Sequence, residues 1–330
     1  MYTWLQNRRT AIRSHSMRVL VTGAAGFLGT ECVKLFKARA HEVISTDRTG
    51  SVDLRGDLAD PAFTNSLPDC DVVVNCAAVQ YVTKGVPLVF RKSFFNRNNV
   101  LAAKNLCERY RHQAPHFIHV GTSMMYRQTG QEQYDIHSEM GGEGVYSRSK
   151  MAAQAFVDTM PGAATIIPCI IGGEGREGLF RGFVKMMTKF GFVAFPGRGD
   201  HKIHMVHVID VASLIYRVAE TRASGFFNAA DPNPLSIREW IDEIAAELGV
   251  RNVRKISVPL FPVMWLSRLS GYRLLAREQL LMLKLQHVLS IDESLAIDWR
   301  PQFSNGRIAR DIAVHINRSA ASQTARKREA

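Results

Sequence analysis

The stretch Arg18-Val-Leu-Val-Thr22-Gly23-Ala-Ala-Gly26-Phe27-Leu28-Gly29 decides the fold. Its first five residues are apolar and β-branched enough for a buried strand, and Glu31 to Ala40 has the spacing of a helix. Between them stand three glycines, which let the chain turn sharply and let a phosphate approach the backbone. A pyrophosphate held there meets the free amide groups at the start of the helix. Gly23, Gly26, Phe27, Leu28 and Gly29 are therefore expected to cradle a dinucleotide. Asp47 strengthens the case, because it ends the next strand, Glu42 to Thr46, 18 residues after Gly29. A carboxylate at that place accepts hydrogen bonds from ribose hydroxyls and repels a 2′-phosphate. NAD is the expected cofactor. Arg48 keeps NADP open, since a guanidinium can hold such a phosphate.

Further along, Asp71 to Asn75, His116 to Val120 and Ala164 to Pro168 read as strands, with helical spacing at Val100, Ala103, Leu106 and Cys107 inside Asn98 to Arg111. This alternation predicts the α/β class: a Rossmann doubly wound parallel sheet. After Lys150 it gives way to Gly172-Gly-Glu-Gly175 and Pro196-Gly-Arg-Gly199, then to helical spacing over Ser236 to Leu248 and Leu274 to Leu289. The expected organisation is a cofactor-binding domain at 17–171 and a smaller, mostly helical substrate-binding lobe at 172–317 whose strands return to the core. Basic, disordered ends are expected at 1–16 and 318–330. The first of these has the charge of a targeting peptide but reads better as the product of an upstream start.

Tyr146-Ser-Arg-Ser-Lys150 sets a phenol and an ammonium on one helical face. The pair follows a strand that ends in Gly121-Thr122-Ser123, whose hydroxyls emerge beside the expected cofactor. Oxidising a secondary alcohol requires removal of the hydroxyl proton as hydride leaves carbon. Free tyrosine is a poor base at neutral pH, but nearby positive charge favours its phenolate. Tyr146 is thus the expected acid or base, Lys150 the group that lowers its pKa, and Thr122 the hydroxyl that orients the substrate oxygen.

With these motifs in order, the sequence resembles the extended short-chain dehydrogenase/reductase family, the NAD-dependent epimerase/dehydratase superfamily, from Met17 to about Ile316. The resemblance implies further cofactor contacts at Asp57 and Leu58, at Cys76, Ala77 and Ala78, at Asn99 and at Pro168. Thr122-Ser123-Met124 stands where nucleotide-sugar dehydratases of the family carry two acids, so that chemistry is not expected. Ile203 stands where nucleotide-sugar epimerases usually place an arginine on the substrate diphosphate. Val258-Pro259 and Trp299-Arg-Pro301 are closer to the 3β-hydroxysteroid dehydrogenase branch. The family further implies a homodimer through Asn98 to Tyr110 and Ser147 to Asp158.

The expected activity is NAD(P)-dependent interconversion of a ring alcohol and ketone on a sterol- or lipid-like small molecule. A nucleotide-sugar 4-epimerase or reductase is the alternative, and a non-catalytic cofactor-binding regulator ranks below both. The apolar segments Leu260 to Leu269 and Leu274 to Leu289 suit a greasy ligand or peripheral contact with a membrane; lobe core and a dimer face would read the same way. Of the net charge of +12, each end contributes +3, which leaves too little on the body for a nucleic-acid partner. The five cysteines are scattered without metal-ligand spacing, as in a reduced, cytoplasmic protein. No apolar run reaches the length of about 18 residues that a bilayer span needs. His201, His204 and His207 invite a metal, but one strand through them would put His204 on the opposite face, so no metal is expected. Ser123 lacks the G-x-S-x-G context of a hydrolase.

Overall fold

The computed structural model describes residues 16–316 except 82, 84, 85, 88, 177–179 and 272–276. The basic ends expected at 1–16 and 318–330, Ser16 apart, lie outside the described residues. In chain order the strands are β1 (Arg18–Thr22), β2 (Glu42–Asp47), β3 (Leu54–Arg55), β4 (Val72–Asn75), β5 (His116–Val120), β6 (Ala164–Pro168), β7 (Ile170–Gly172), β8 (Phe192–Pro196), β9 (Lys202–Ile203), β10 (Met205–His207), β11 (Gly225–Ala229), β12 (Leu235–Ser236) and β13 (Arg254–Val258). The helices are α1 (Phe27–Ala38), α2 (Pro61–Asn65), α3 (Arg91–Phe95), α4 (Ala102–Tyr110), α5 (Val145–Val157), α6 (Phe180–Phe190), α7 (Val208–Thr221), α8 (Ile237–Glu247), α9 (Leu260–Leu269), α10 (Arg277–Met282) and α11 (Asp292–Ala296), followed by a helix at 305–316.

Seven strands form one parallel sheet in the order β11-β6-β5-β4-β1-β2-β3. Parallel strands are covered on both faces, which is why they read as continuous apolar runs. Alternate residues serve opposite cores. Val19, Val21, Val72, Val74 and Ile118 join the core that includes α1 and α7 residues, while Leu20, Val73 and Phe117 meet Leu106 and Tyr110 of α4. The order reverses between β1 and β4, and that reversal opens a crevice at the carboxyl ends of the strands. A separate core gathers Phe183 and Met187 of α6, Val193 and Phe195 of β8, Trp240 and Ile244 of α8, and Ile308 and Ile312. Ser236 and Glu239 cap α8 reciprocally.

Several elements differ from expectation. Helix α1 starts at Phe27 rather than Glu31, because the glycine turn closes at Gly26, which caps the helix. The helix expected from Asn98 begins at Arg91 and passes through a π-helical segment, Asn96–Leu101, before α4. The strand expected through the three histidines is two short strands broken at His204, and they pair with β12 and β7 respectively. The helix expected over Leu274 to Leu289 ends at Met282, and its residues 274–276 lie outside the described ones. Beyond a turn at 283–285 the chain is extended, with His287 bridged to Ile203 and Leu289 to Tyr134. A run apolar all round fits a buried strand as well as a helix, and here tertiary pairing chose.

Candidate active site

At the carboxyl end of β1 the chain has room only for bare backbone. Gly23 has φ +65°, and a Cβ there would lie 2.7 Å from the Ala77 nitrogen. A Cβ on Gly29 would lie 2.1 Å from the Gly23 oxygen. The Gly26 amide closes the turn on Gly23 O at 2.9 Å, and Phe27 and Leu28 open α1. Asp47, at the end of β2, fastens this turn by accepting from the Ala25 amide at 3.1 Å. Cys76 and Ala77 line its other side, their amides donating to Thr22 O at 3.2 Å and Thr22 Oγ1 at 3.4 Å; Ala78 follows. This close cradle with a carboxylate at its rim fits a dinucleotide. Two further expected residues follow β3: Asp57 accepts from Arg97 at 2.6 Å, and the neighbouring Leu58 is buried. The Arg48 guanidinium donates to Asn98 Oδ1 at 2.5 Å. Asn99 faces inward, exchanging hydrogen bonds of 2.8 and 3.1 Å with the Val79 backbone. Pro168 is buried at the end of β6.

Tyr146 is the second residue of α5, Lys150 lies one turn later, and Thr122 caps the single turn Ser123–Met125 after β5. The Thr122 and Gln80 side chains lie against the Tyr146 phenol. Burial pushes its pKa up to about 12, against the pull of the Arg176 charge and the Thr122 side chain. Thus the cation that faces the phenol is Arg176. It lies over the Phe27 ring at 5.6 Å and bonds Gln80. Lys150 donates to the Val120 carbonyl at 2.5 Å and lies 3.2 Å from His119 Nε2. Burial lowers its pKa to about 8. A buried polar chain continues from His119 to Asn75 at 3.1 Å and from Asn75 to Thr22 at 2.8 Å, so the lysine is wired to the residue before the glycine turn.

Sequence reasoning missed Gln80, Tyr81, His119, Arg176 and Glu278. Glu278 comes from α10 to the start of α5, where it accepts from Ser147 Oγ and Tyr81 Oη, both at 2.8 Å. Tyr81 in turn accepts from the Tyr146 amide at 3.2 Å. Arg176 directly follows the glycines at 172, 173 and 175, a loop signal that marked the place though not the residue. Glu278 carried no such signal. Ser123 does meet a histidine: its Oγ is 2.7 Å from His287 Nε2, and His287 Nδ1 is 2.9 Å from Gln128 Oε1. All three are buried, and burial lowers His287 to about 4. The contact fastens the extended segment after α10 to the end of β5. The other histidines have separate partners. His207 meets Asp311 at 3.0 Å and stacks on Phe303, and His204 accepts from the Leu289 amide at 3.0 Å.

A family model described as the NAD dependent epimerase/dehydratase family matches residues 19–230. The chain belongs to that family. This epimerase/dehydratase-family chain is similar to the epimerase family protein SDR39U1 of Bos taurus, with 28% identity over 74% of this chain and 83% of that protein. It is 24% identical to the 2-alkyl-3-oxoalkanoate reductase of Stenotrophomonas maltophilia over 72% of this chain and 78% of the other. It is also 24% identical to the 3 beta-hydroxysteroid dehydrogenase/Delta 5-->4-isomerase of Mycobacterium tuberculosis, over 71% and 70% of the two chains. Among solved structures, Bordetella bronchiseptica WbmG in complex with NAD has TM-score 0.74 at 17% identity, covering 93% of this chain and 96% of that one. Human SDR39U1 with NADPH has TM-score 0.72 at 22% identity, covering 90% and 99%. The family member described here is an NAD(P)-dependent enzyme of oxidoreductase chemistry with a Rossmann fold.

Proposed function

We propose that the enzyme interconverts a secondary alcohol and a ketone on a sterol- or lipid-like substrate, with Tyr146 as acid and base, Thr122 orienting the substrate oxygen, and NAD preferred. One observation carries this reading: the Thr122 and Tyr146 side chains meet at the carboxyl edge of the sheet, with the Arg176 charge acting on the phenol. A nicotinamide cofactor would be held by the Gly23 to Gly29 turn, Asp47 and the loop from Cys76, and it supplies or takes the hydride. The resting phenol keeps its proton at neutral pH, so Tyr146 is set to donate to a carbonyl. In the opposite direction it must lose that proton, and Arg176 is the charge that steadies the phenolate. Lys150, with a pKa near neutrality, is placed to exchange a proton along the His119 side. Asp47 favours NAD, and Arg48, drawn to Asn98, is turned to a neighbour.

Ile203 favours the apolar substrate over a nucleotide sugar. It is buried in the lobe core, and the nearby Arg198 is paired with Asp200. The names of the reductase and dehydrogenase relatives, which place the carbonyl or hydroxyl on hydrocarbon, point the same way. The reading includes a cytoplasmic homodimer through α4 and α5, with the cofactor held by 17–171 and the substrate by 172–317. Turnover is measured by cofactor absorbance against sterols, 3-oxoalkanoates and uridine-diphosphate sugars. Tyr146→Phe should lower it about 10³-fold while cofactor still raises the unfolding temperature. An active phenylalanine variant overturns the role of Tyr146, and turnover of the sugars alone overturns the substrate class.

A further inference from the structure

Helix α9 is built inside out. The small polar Ser267 is buried, while Phe261, Trp265 and Leu269 are 75%, 55% and 65% exposed. These three positions recur at i, i+4 and i+8, so they share one helix face, with Met264 and Arg268 beside them. The strand leading into α9 extends the patch. Val193 and Phe195 of β8 are buried, so the alternate residues Phe192 and Ala194 turn outward with their β13 partners Arg254 and Ile256. Exposed Phe190 stacks on Phe192 at 5.9 Å.

The charge around this patch has one sign. Residues 248–277 include six cations, at 251, 254, 255, 268, 273 and 277, and no aspartate or glutamate. Lys255 and Arg277 are paired with Asp242 and Glu143. Arg251, Arg254 and Arg268 are exposed and form no ion pair among the described residues. We propose that α9 and the outer face of β13 dock on an anionic lipid membrane, the aromatic and leucine side chains entering the acyl boundary and the arginines meeting headgroup phosphates. Ten residues of helix span about 15 Å, so α9 lies in the plane of the interface rather than crossing it. A second copy fits worse, because a two-fold contact would press this cationic face against itself. The ends of the chain, with Arg8, Arg9 and Arg13 on one side and Arg326, Lys327 and Arg328 on the other, bring the same sign.

The docking surface does not depend on the substrate, so its test needs no turnover. The full chain is sedimented with phosphatidylcholine vesicles, with and without phosphatidylglycerol, and the tryptophan emission is recorded. Binding and a blue shift are expected only with phosphatidylglycerol. The pair Phe261→Ser and Trp265→Ser should weaken binding about tenfold, and Arg268→Gln about fivefold, with cofactor affinity unchanged in both. Arg268→Gln leaves the apolar face intact and keeps the test valid should the double variant unfold. Absence of binding, equal binding to both vesicles, or a dimer that the double variant splits without any vesicle binding would each overturn the proposal.

Discussion

Helices α7 and α9 are both strongly apolar in sequence, yet α7 is buried along most of its length between α1 and the sheet, while α9 turns its largest side chains to solvent. Nearly every apolar residue of α7, from Val208 to Ala219, lies in the core shared with β1 and β4. Its start is also tied. His207 caps it through the Ile209 amide, and Asp210 accepts the Gln302 and Phe303 amides at 2.9 and 3.0 Å. Helix α9 has no side-chain cap, and among the described residues no other element packs closely along it. Hydrophobic composition therefore says that a helix wants a partner, and only its neighbours decide whether it finds one within the chain.

The largest expected effect tests the buried half of that contrast. Ile215→Ala should cost about 2–5 kcal/mol of stability in denaturant unfolding, since it opens a cavity in a fully packed core. A loss below about 1 kcal/mol would mean that α7 is no better packed than α9. Next come the buried histidines that join the segment after α10 to the body. Burial lowers His204 and His287 to about 4 each, so the unfolded chain takes up protons before the folded one does. Stability is therefore intact above about pH 6.5 and is lost as pH falls toward 4. Asp210, raised to about 6 by burial, works in the opposite direction between about 4 and 6 and offsets part of the loss. His287→Gln should flatten the acid limb of the unfolding temperature by the equivalent of about 1–2 kcal/mol; an unchanged limb would show that the histidine titrates freely. The smallest expected effect is on the exposed side: Trp265→Ala should change stability by no more than about 0.5 kcal/mol. A loss like that of a core tryptophan would show that α9 is covered within the chain.

The glycine turn was legible because its reasons are local. A turn with no room for Cβ calls for glycine, and a carboxylate belongs at the end of the adjacent strand. Tyr146 and Lys150 were legible for the same reason, since one helical turn brings them to one face. Their surroundings were not. Arg176, Glu278 and His287 reach the site from loops and segments far along the chain, and nothing in spacing ties residue 278 to residue 147. The apolar run after Leu274 shows the same limit, because its residues suit either a helix or a buried strand: Arg277–Met282 took the first, and bridges to Ile203 and Tyr134 drew His287 and Leu289 into the second.

By itself the sequence determined a parallel α/β body, a glycine cradle and the pair of side chains at its edge, all consequences of repeats and turns a few residues long. The tertiary structure decided which cation faces the phenol, which histidines are sealed, and which apolar helix is left without a cover. Those outcomes depend on burial and on contacts between distant segments, where the energy of a side chain is set by what lies across from it rather than by its place along the chain.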